Sequence, residues 1–224
     1  PSPHEIIADM TAGNADLRRQ IALRYMVSGV MLPMDELVIT TGAMEALNLC
    51  LQVVTEPGDL VAIESPAFYA TLQVLERLKL KAVEIPVHPR EGIDLEILAD
   101  RLAHLPIKAC WFMSSLQNPL GASMSETKKQ ALYDLLVEHQ VPLIEDDVYA
   151  DVRGSEYGLG VLGTGHLVGS QKSAVQISGM SAIITVFLVQ SEMPTRCRSL
   201  RPATALTECA TATSTDYSTV WETR

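Results

Sequence analysis

The sequence lacks the features that would mark a membrane, secreted or nucleic-acid-binding chain. No apolar run reaches 18 residues, so we expect no transmembrane helix and no membrane partner. The first residues, Pro-Ser-Pro-His-Glu-Ile-Ile, have neither a basic start nor an apolar stretch, so we expect no signal peptide. Only 17 Lys and Arg stand against 27 Asp and Glu, and the resulting charge of −10 argues against nucleic acid binding by this segment.

Cysteine is also scarce. The four cysteines, Cys50, Cys110, Cys197 and Cys209, are widely scattered. They form no metal-type pair spacing and no dense disulfide pattern, so we expect no metal site built on them. Cys50 and Cys110 lie among apolar residues and are interpreted as core side chains. A reducing cytoplasm is the simplest setting for this pattern.

Up to about residue 152, predicted strands alternate with predicted helices. The strands fall at 37–40, 60–63, 82–87, 109–113 and 141–145, and the helices at 14–27, 43–54, 69–78, 95–102 and 123–139. The strands are continuous apolar runs, which is typical of strands covered on both faces. We therefore predict an α/β fold with a mainly parallel sheet, helices on both faces, and one partial domain over residues 1–152.

The composition changes after that point. Residues 153–224 contain 19 Ser or Thr, and only residues 177–190 are candidates for a buried strand or helix. The first part holds 11 basic and 22 acidic residues, whereas the second part holds 6 and 5. We predict that residues 153–224 form an irregular, poorly ordered tail.

Four of the predicted strands are followed by residues suited to a ligand, which open α/β sheets bind at the carboxyl ends of their strands. Thr41, Gly42, Ala43 and Met44 join the first strand to a helix N-terminus. The unpaired N–H groups of such a terminus suit a phosphate, and glycine permits close approach of the backbone. Taken alone, the segment is better explained as an ordinary strand-to-helix turn.

Aromatic and amide side chains follow two further strands. Phe68 and Tyr69 can stack on a planar ring, although core packing explains them equally well. Asn118 lies in an Asn-Pro-Leu-Gly turn, where its amide can donate to an oxygen of a bound ring while Pro119 fixes the turn. Turns of this composition without a binding role are common.

The last predicted strand leads into Asp146, with Tyr149 three positions further on. An aspartate facing a heteroaromatic nitrogen keeps that nitrogen protonated, because the ion pair favours both charged forms. A protonated pyridine is the better electron sink in pyridoxal phosphate (PLP) chemistry. Taken alone, an aspartate here is more often a helix cap or a loop residue.

Taken together and in this order, the residues that follow these four strands resemble the motifs of the large domain of fold-type I PLP-dependent aminotransferases of class I/II. Within that family the chain is most similar to the MocR type, regulators of the GntR family that fuse a winged-helix DNA-binding domain to an aminotransferase-like domain. The matching stretches are residues 13–18, 40–47, 57–59, 64–69, 117–121 and 145–149. They span roughly residues 10–152, so the resemblance is to a truncated large domain.

The resemblance implies how one end of the cofactor would be held. Gly42, Ala43 and Met44 would offer backbone N–H groups to the PLP phosphate. Phe68 would stack on the pyridine ring, with Tyr69 beside it.

The resemblance also implies contacts at the edge of the ring. Asn118 and Tyr149 would hydrogen-bond its phenolic oxygen, and Asp146 would pair with its pyridinium nitrogen. Asp147 is the weaker candidate because the family spaces the aspartate three residues before the tyrosine. The ligand would be an amino acid or a 2-oxo acid, and family members build the site at a homodimer interface.

The lysine that carries PLP in this family is missing from the sequence. It lies in a Ser-x-Ser-Lys segment some thirty residues after the aspartate, where this chain reads Gln-Ile-Ser-Gly-Met-Ser at 176–181. Lys172 comes too early and has the wrong neighbours, so it is better explained as a surface lysine than as the Schiff-base lysine. We therefore assign no catalytic residue, and we expect non-covalent PLP binding with very poor turnover.

These features favour a PLP-binding aminotransferase-like domain that is catalytically impaired. Its parent would move an amino group between an amino acid and a 2-oxo acid. The first alternative is an effector-sensing fragment of a MocR/GntR-type transcriptional regulator, with DNA binding in another part of the protein. The second alternative is an inactive and poorly folded product.

The motifs and the periodicity both stop just after Tyr149. We hypothesise that residues 153–224 come from a shifted reading frame or a rearranged gene. We expect one of the other two frames of the coding DNA to contain a downstream Ser-x-Ser-Lys segment. Sequencing the gene tests this expectation. If neither of the other two frames contains a Ser-x-Ser-Lys segment, the hypothesis is wrong.

Overall fold

A sheet of eight strands forms the centre of the described part of the chain. The computed structural model describes residues 12–27, 31–149, 174–178 and 184–188, the last two ranges as backbone only. The strands are β1 Leu37–Thr40, β2 Leu60–Ser65, β3 Lys81–His88, β4 Gly92–Ile93, β5 Ile107–Phe112, β6 Leu143–Asp147, β7 Ala174–Ser178 and β8 Ile184–Leu188.

Five α-helices lie in the described residues, and most match the predicted ones to within two residues at each end. They are α1 Ala15–Val27, α2 Ala43–Val54, α3 Tyr69–Arg77, α4 Leu95–His104 and α5 Glu126–His139, with a 3-10 turn at Met34–Glu36. No helix of the described segments combines the length and the apolar character needed to cross a membrane.

The predicted start of α5 at Ser123 is wrong. The helix is capped by Ser125, whose hydroxyl accepts from the N–H of Lys128 at 3.3 Å. The Ser123 hydroxyl accepts instead from the N–H of Leu116 at 3.0 Å, within the loop that follows β5. Either serine suits an N-cap, and this loop contact decides between them.

The strand order is β1-β8-β7-β6-β5-β2-β3-β4. Strands β7, β6, β5, β2 and β3 pair in parallel, whereas β8 pairs antiparallel with both β7 and β1. Because β8 is antiparallel to both of its neighbours, β1 runs the same way as the central strands. Six strands therefore share one direction, which confirms the predicted mainly parallel sheet.

The last two strands fall in the segment that was predicted to be an irregular tail. Only residues 177–190 were candidates for regular structure there, and the structure places β7 at 174–178 and β8 at 184–188. The rest of residues 153–224 lies outside the described residues. The boundary near residue 152 and the poor order of that segment stay predictions.

Helices cover both faces of the sheet, as predicted. Side chains of α2 and α3 pack with Ile63, Trp111 and Ile144 on one face. Side chains of α4 and α5 pack with Cys110 and Phe112 on the other face. Consecutive residues of β5 thus enter opposite clusters, which explains why residues 109–112 are continuously apolar.

Both cysteines of the described core are fully buried, which confirms that Cys50 and Cys110 are core side chains. Burial raises the pKa of each thiol, so neither is a reactive thiolate. Cys197 and Cys209 lie outside the described residues.

A close backbone contact joins the start of α1 to the sheet. The carbonyl of Ala12 accepts from the N–H of Ile39 at 3.0 Å, and Asn14 caps α1 by accepting from the N–H of Leu17 at 3.0 Å. Between them, Gly13 has a φ of +90°, and a β-carbon added there would lie 2.6 Å from the Ile39 β-carbon. Arg18 donates to the Gly13 carbonyl at 3.2 Å.

We expect Gly13→Ala to destabilise the chain by at least about 2 kcal/mol, because it combines backbone strain with a steric clash against β1. Gly58→Ala is the matched control, since Gly58 has a φ of +100° but no atom within 4 Å of an added β-carbon. Urea unfolding of both variants measures the difference. Equal losses would show that the contact with Ile39 contributes nothing.

Candidate functional site

The residues predicted to bind a ligand converge because their strands share a direction. The segments after β1, β2, β5 and β6 all begin at the carboxyl edge of the sheet. Strand β3 pairs with one side of β2, and β5, which comes later in the sequence, pairs with the other side of β2. Ligands of open α/β sheets bind in the crevice at such a reversal, which here lies between β2 and β5.

The N-terminus of α2 is open to an anion. Gly42 is its N-cap residue, and no side chain caps the helix. Gly42 has φ +144° and ψ 166°, a conformation that glycine adopts readily, and an added β-carbon would meet no atom within 4 Å. The first N–H groups of the helix, including those of Ala43 and Met44, have no intrahelical acceptor and face no capping side chain.

The two predicted aromatic residues begin α3. Phe68 is the N-cap residue and is half-buried, whereas Tyr69 is 71% exposed. Their ring centroids lie 4.6 Å apart with the planes tilted by 59°. Core packing therefore does not explain Tyr69.

The predicted amide and phenol lie next to each other. The Nδ2 atom of Asn118, in the loop after β5, donates to the Tyr149 hydroxyl over 3.5 Å. Both side chains are half-buried. The structure thus brings together two groups that are 31 residues apart in the sequence.

The carboxylate of Asp146 lies at the carboxyl end of β6 and is buried. It accepts hydrogen bonds from the Trp111 side chain and from the Val148 N–H. Its Oδ1 atom is buried and has no hydrogen-bond partner among the residues that the structure describes. Burial raises the pKa of Asp146 to about 6, these two hydrogen bonds lower it, and the neighbouring Asp147 adds to the rise.

Strand geometry separates Asp146 from its acidic neighbours. Side chains alternate along a strand, and Ile144 packs with α2 and α3, so Asp146 points toward that same face. Glu145 and Asp147 point toward the other face, where Glu145 accepts a short hydrogen bond from the Ser114 hydroxyl. The Gly42 turn leads into α2, so it lies on the face of the sheet toward which Asp146 points. This position favours Asp146 over Asp147 as the residue that contacts a ligand.

Glu64, for which the sequence motifs predict no role, is buried beside Asp146 at the carboxyl end of β2. Burial raises the pKa of Glu64 to about 8, the negative charge of Asp146 adds to the rise, and hydrogen bonds from Met113 and Gln117 oppose it. A pKa raised in this way favours the protonated form of Glu64 at neutral pH. An acidic residue inside an otherwise apolar strand was the available signal, and Trp111 and Gln117 offered none because their roles depend on contacts across the sheet.

The segment expected to carry the lysine begins beside Asp146. In the pairing of β6 with β7, Ile177 lies opposite Asp146 and Ser178 lies opposite Asp147. The five residues of β7 include no lysine. Lys172 lies outside the described residues.

Comparison with known proteins identifies related sequences. The family profile described as "Aminotransferase class I and II" matches residues 9–191. The uncharacterized HTH-type transcriptional regulator YdcR of Escherichia coli K12 is 52% identical over 147 residues, which are 66% of this chain and 31% of that protein. The aromatic-amino-acid aminotransferase 1 of Thermococcus litoralis is 28% identical over 65% of this chain and 36% of its own length.

Solved structures share the fold. Cystalysin from Treponema denticola, which contains a pyridoxal 5′-phosphate cofactor, superimposes with a TM-score of 0.73 at 18% identity over 88% of this chain and 50% of its own. The α-aminoadipate aminotransferase LysN from Thermus thermophilus gives a TM-score of 0.72 at 19% identity over 92% of this chain and 55% of its own. The chain spans about a third of the length of the curated relatives it matches.

We expect the stability of the chain to fall as the pH rises from about 4.5 to 8. The fold raises the pKa of Glu64 from 4.5 to about 8, so over this range the folded state holds a proton that the unfolded state has released. Asp146 contributes with the same sign between about 3.8 and 6. The free energy of unfolding in urea, measured from pH 5 to 8.5, tests this.

Glu64→Gln keeps the shape of the side chain and removes its titration, so the variant should show a flatter dependence on pH between 6 and 8. Glu138→Gln, on the exposed side of α5, is the matched control and should keep the wild-type slope. Equal slopes in the wild type and in Glu64→Gln would contradict the assignment.

Proposed function

Because this chain belongs to the class I and II aminotransferase family, we propose that the carboxyl edge of its sheet binds pyridoxal 5′-phosphate, the cofactor of that family. The observation that carries the proposal is the buried Oδ1 atom of Asp146, for which the described part of the chain offers no hydrogen-bond donor. An unsatisfied buried carboxylate oxygen is unfavourable. A protonated ring nitrogen would supply both the missing donor and the compensating charge.

The other end of the cofactor fits the start of α2. Backbone N–H groups of Gly42, Ala43 and Met44 would bind the phosphate, with the positive end of the helix dipole favouring the anion. The open space beside Gly42 leaves room for it. Glu45 does not compete as a cap, because its carboxylate folds back to accept from the Thr41 hydroxyl at 2.8 Å.

The ring would be oriented from its face and from its edge. Phe68 would cover one face and exclude water from it. Asn118 and Tyr149 would donate to the phenolic oxygen, in place of the long 3.5 Å contact that they make with each other. Asp146 would hold the proton on the ring nitrogen.

When bound, the cofactor supplies an electron sink for charge that develops on a substrate amino acid. Asp146 supports that role only while it is ionised. Its pKa of about 6 leaves it mostly ionised at neutral pH, and a cationic partner would lower that pKa further. The neutral Glu64 nearby adds no second charge to the buried site.

We propose that the cofactor is held without covalent attachment and that amino-group transfer by this chain is very slow. In support, Lys79, Lys81 and Lys108 lie at or just before the amino ends of β3 and β5, away from the site, and Lys128 lines a separate cavity with residues of β3 and β4. The Nζ atom of Lys129 is bound to Glu126 at 3.0 Å. The ligand that meets the cofactor would be an amino acid or a 2-oxo acid.

A second candidate function is ligand sensing within a transcriptional regulator. Two E. coli K12 proteins with HTH-type regulator names, YdcR and YjiR, are 52% and 38% identical to this chain over 66% of it. A site that contacts the cofactor without a lysine to bind it covalently is better suited to reversible cofactor binding than to catalytic amino-group transfer. In this function, DNA would be bound by a different part of the protein.

We further propose that the chain pairs with a second copy, as members of this family generally do. In support, α1 and the segment after it expose large apolar side chains that a partner would cover. These are Leu23, Met26, Val27 and Met31, with exposures of 42%, 48%, 87% and 74%.

We expect the wild-type chain to bind PLP reversibly and Asp146→Asn to weaken binding by about tenfold or more, because the variant loses a charge-assisted hydrogen bond to the ring nitrogen. The Kd is measured by equilibrium dialysis and by quenching of protein fluorescence. Asp100→Asn, an exposed aspartate of α4, is the matched control and should bind like the wild type.

Two results would contradict the proposal in different ways. A folded wild-type chain that does not bind PLP would overturn the cofactor site. A covalent adduct on Lys172, found by mass spectrometry after borohydride reduction, would overturn the non-covalent binding.

A further inference from the structure

Resting on the proposed cofactor site, we propose that Gln117 is a positioning residue that holds the turn carrying Phe68 against the turn carrying Asn118. The first turn follows β2 and the second follows β5, so the two lie on either side of the crevice where the strand order reverses. Gln117 itself is only 1% exposed.

The side-chain nitrogen of Gln117 joins the two turns. Its Nε2 atom donates to the Pro66 carbonyl at 2.9 Å and to the Asn118 carbonyl at 3.0 Å. A longer contact of 3.4 Å reaches Glu64 Oε2, at the end of β2. One buried amide thus bonds to residues 51 and 53 positions earlier as well as to its own neighbour.

The remaining polar atoms of Gln117 fix the turn after β5. Its Oε1 atom accepts from the Leu120 N–H at 2.9 Å, and its backbone N–H donates to the Ala122 carbonyl at 2.9 Å. Its carbonyl accepts from the Gly121 N–H at 2.6 Å. Because both ends of the amide are used, only one orientation of the side chain satisfies all the partners.

This arrangement sets the separation of the two ring contacts. Pro66 lies two residues before Phe68, and Asn118 is the residue next to Gln117. Movement of either turn would change the gap between the stacking ring and the amide that meets the phenolic oxygen. Asp146 has hydrogen bonds of its own, from Trp111 and Val148, so we expect its contact with the ring to be largely independent of Gln117.

A double-mutant cycle separates positioning from general stability. Gln117→Met keeps the size of the side chain and removes its hydrogen bonds, and we expect it to weaken PLP binding by about tenfold. Asn118→Ala should weaken binding in the wild-type background but by less than about twofold in the Gln117→Met background. Asp146→Asn should weaken binding to the same degree in both backgrounds.

Two controls exclude a general loss of structure. Gln130→Met changes a glutamine of α5 whose side chain donates to Asp134 at 2.7 Å, away from both turns, and it should leave the Kd unchanged. Gln117→Glu keeps an acceptor for the Leu120 N–H but removes the donors and places a second carboxyl group beside Glu64. It should weaken PLP binding at least as much as Gln117→Met.

Amide hydrogen exchange without PLP tests the contact between the turns independently of the cofactor. We expect Gln117→Met to speed exchange in residues 67–71 as well as in residues 117–122, whereas residues of α5 keep wild-type protection. Should Gln117→Met not fold, the same comparison is made with Gln117→Glu.

The outcomes are distinct. Full additivity of Gln117→Met with Asn118→Ala, or faster exchange confined to residues 117–122, would overturn the positioning role even if PLP binds. A wild-type chain that does not bind PLP would overturn the cofactor site and with it this role. In that case, faster exchange in both turns would still establish the contact itself.

Discussion

The shared direction of six strands is the constraint on which the site depends. Because β8 is antiparallel to both β7 and β1, the edge strand β1 points the same way as β2, β5 and β6. The phosphate-type turn at Gly42 therefore opens at the same edge as Phe68, Asn118 and Asp146. If β1 ran the other way, the same sequence motif would lie at the opposite edge of the sheet.

Burial of carboxyl groups is the second constraint. Glu64, Glu145, Asp146 and Asp147 are all less than 9% exposed at the carboxyl ends of two strands. Such a cluster is tolerated because one member is protonated and the others accept hydrogen bonds, as Glu145 does from Ser114 and Asp146 does from Trp111. Among the described residues, the carboxyl oxygens Glu64 Oε1, Asp146 Oδ1 and Asp147 Oδ2 accept no hydrogen bond, and the Asp146 oxygen is the one that points toward the face of the Gly42 turn, where a cationic group would satisfy it.

In the proposed site, the residues that would contact the cofactor are separate in sequence from the segment expected to carry a covalent attachment. Every proposed contact with the cofactor comes from residues 42–149, and the segment where the family carries its lysine follows β7. The chain is 52% identical to a protein named as a transcriptional regulator and 28% identical to a protein named as an aminotransferase, each over about two-thirds of this chain. Related sequences therefore occur in proteins with both kinds of name. Fold alone does not decide between a sensor and an enzyme, so the question rests on the groups at this edge.

The sequence by itself determined strands β1, β2, β3, β5 and β6, but not the two-residue strand β4, and it determined the residues at four strand ends, because apolar periodicity and turn residues are local signals. It did not find β7 and β8 as separate strands, nor the choice of Ser125 over Ser123 as the helix cap. Only the tertiary structure decided the order of the strands, the proton on Glu64 and the links made by Gln117. These depend on burial and on hydrogen bonds between residues more than 50 positions apart, which local patterns do not encode.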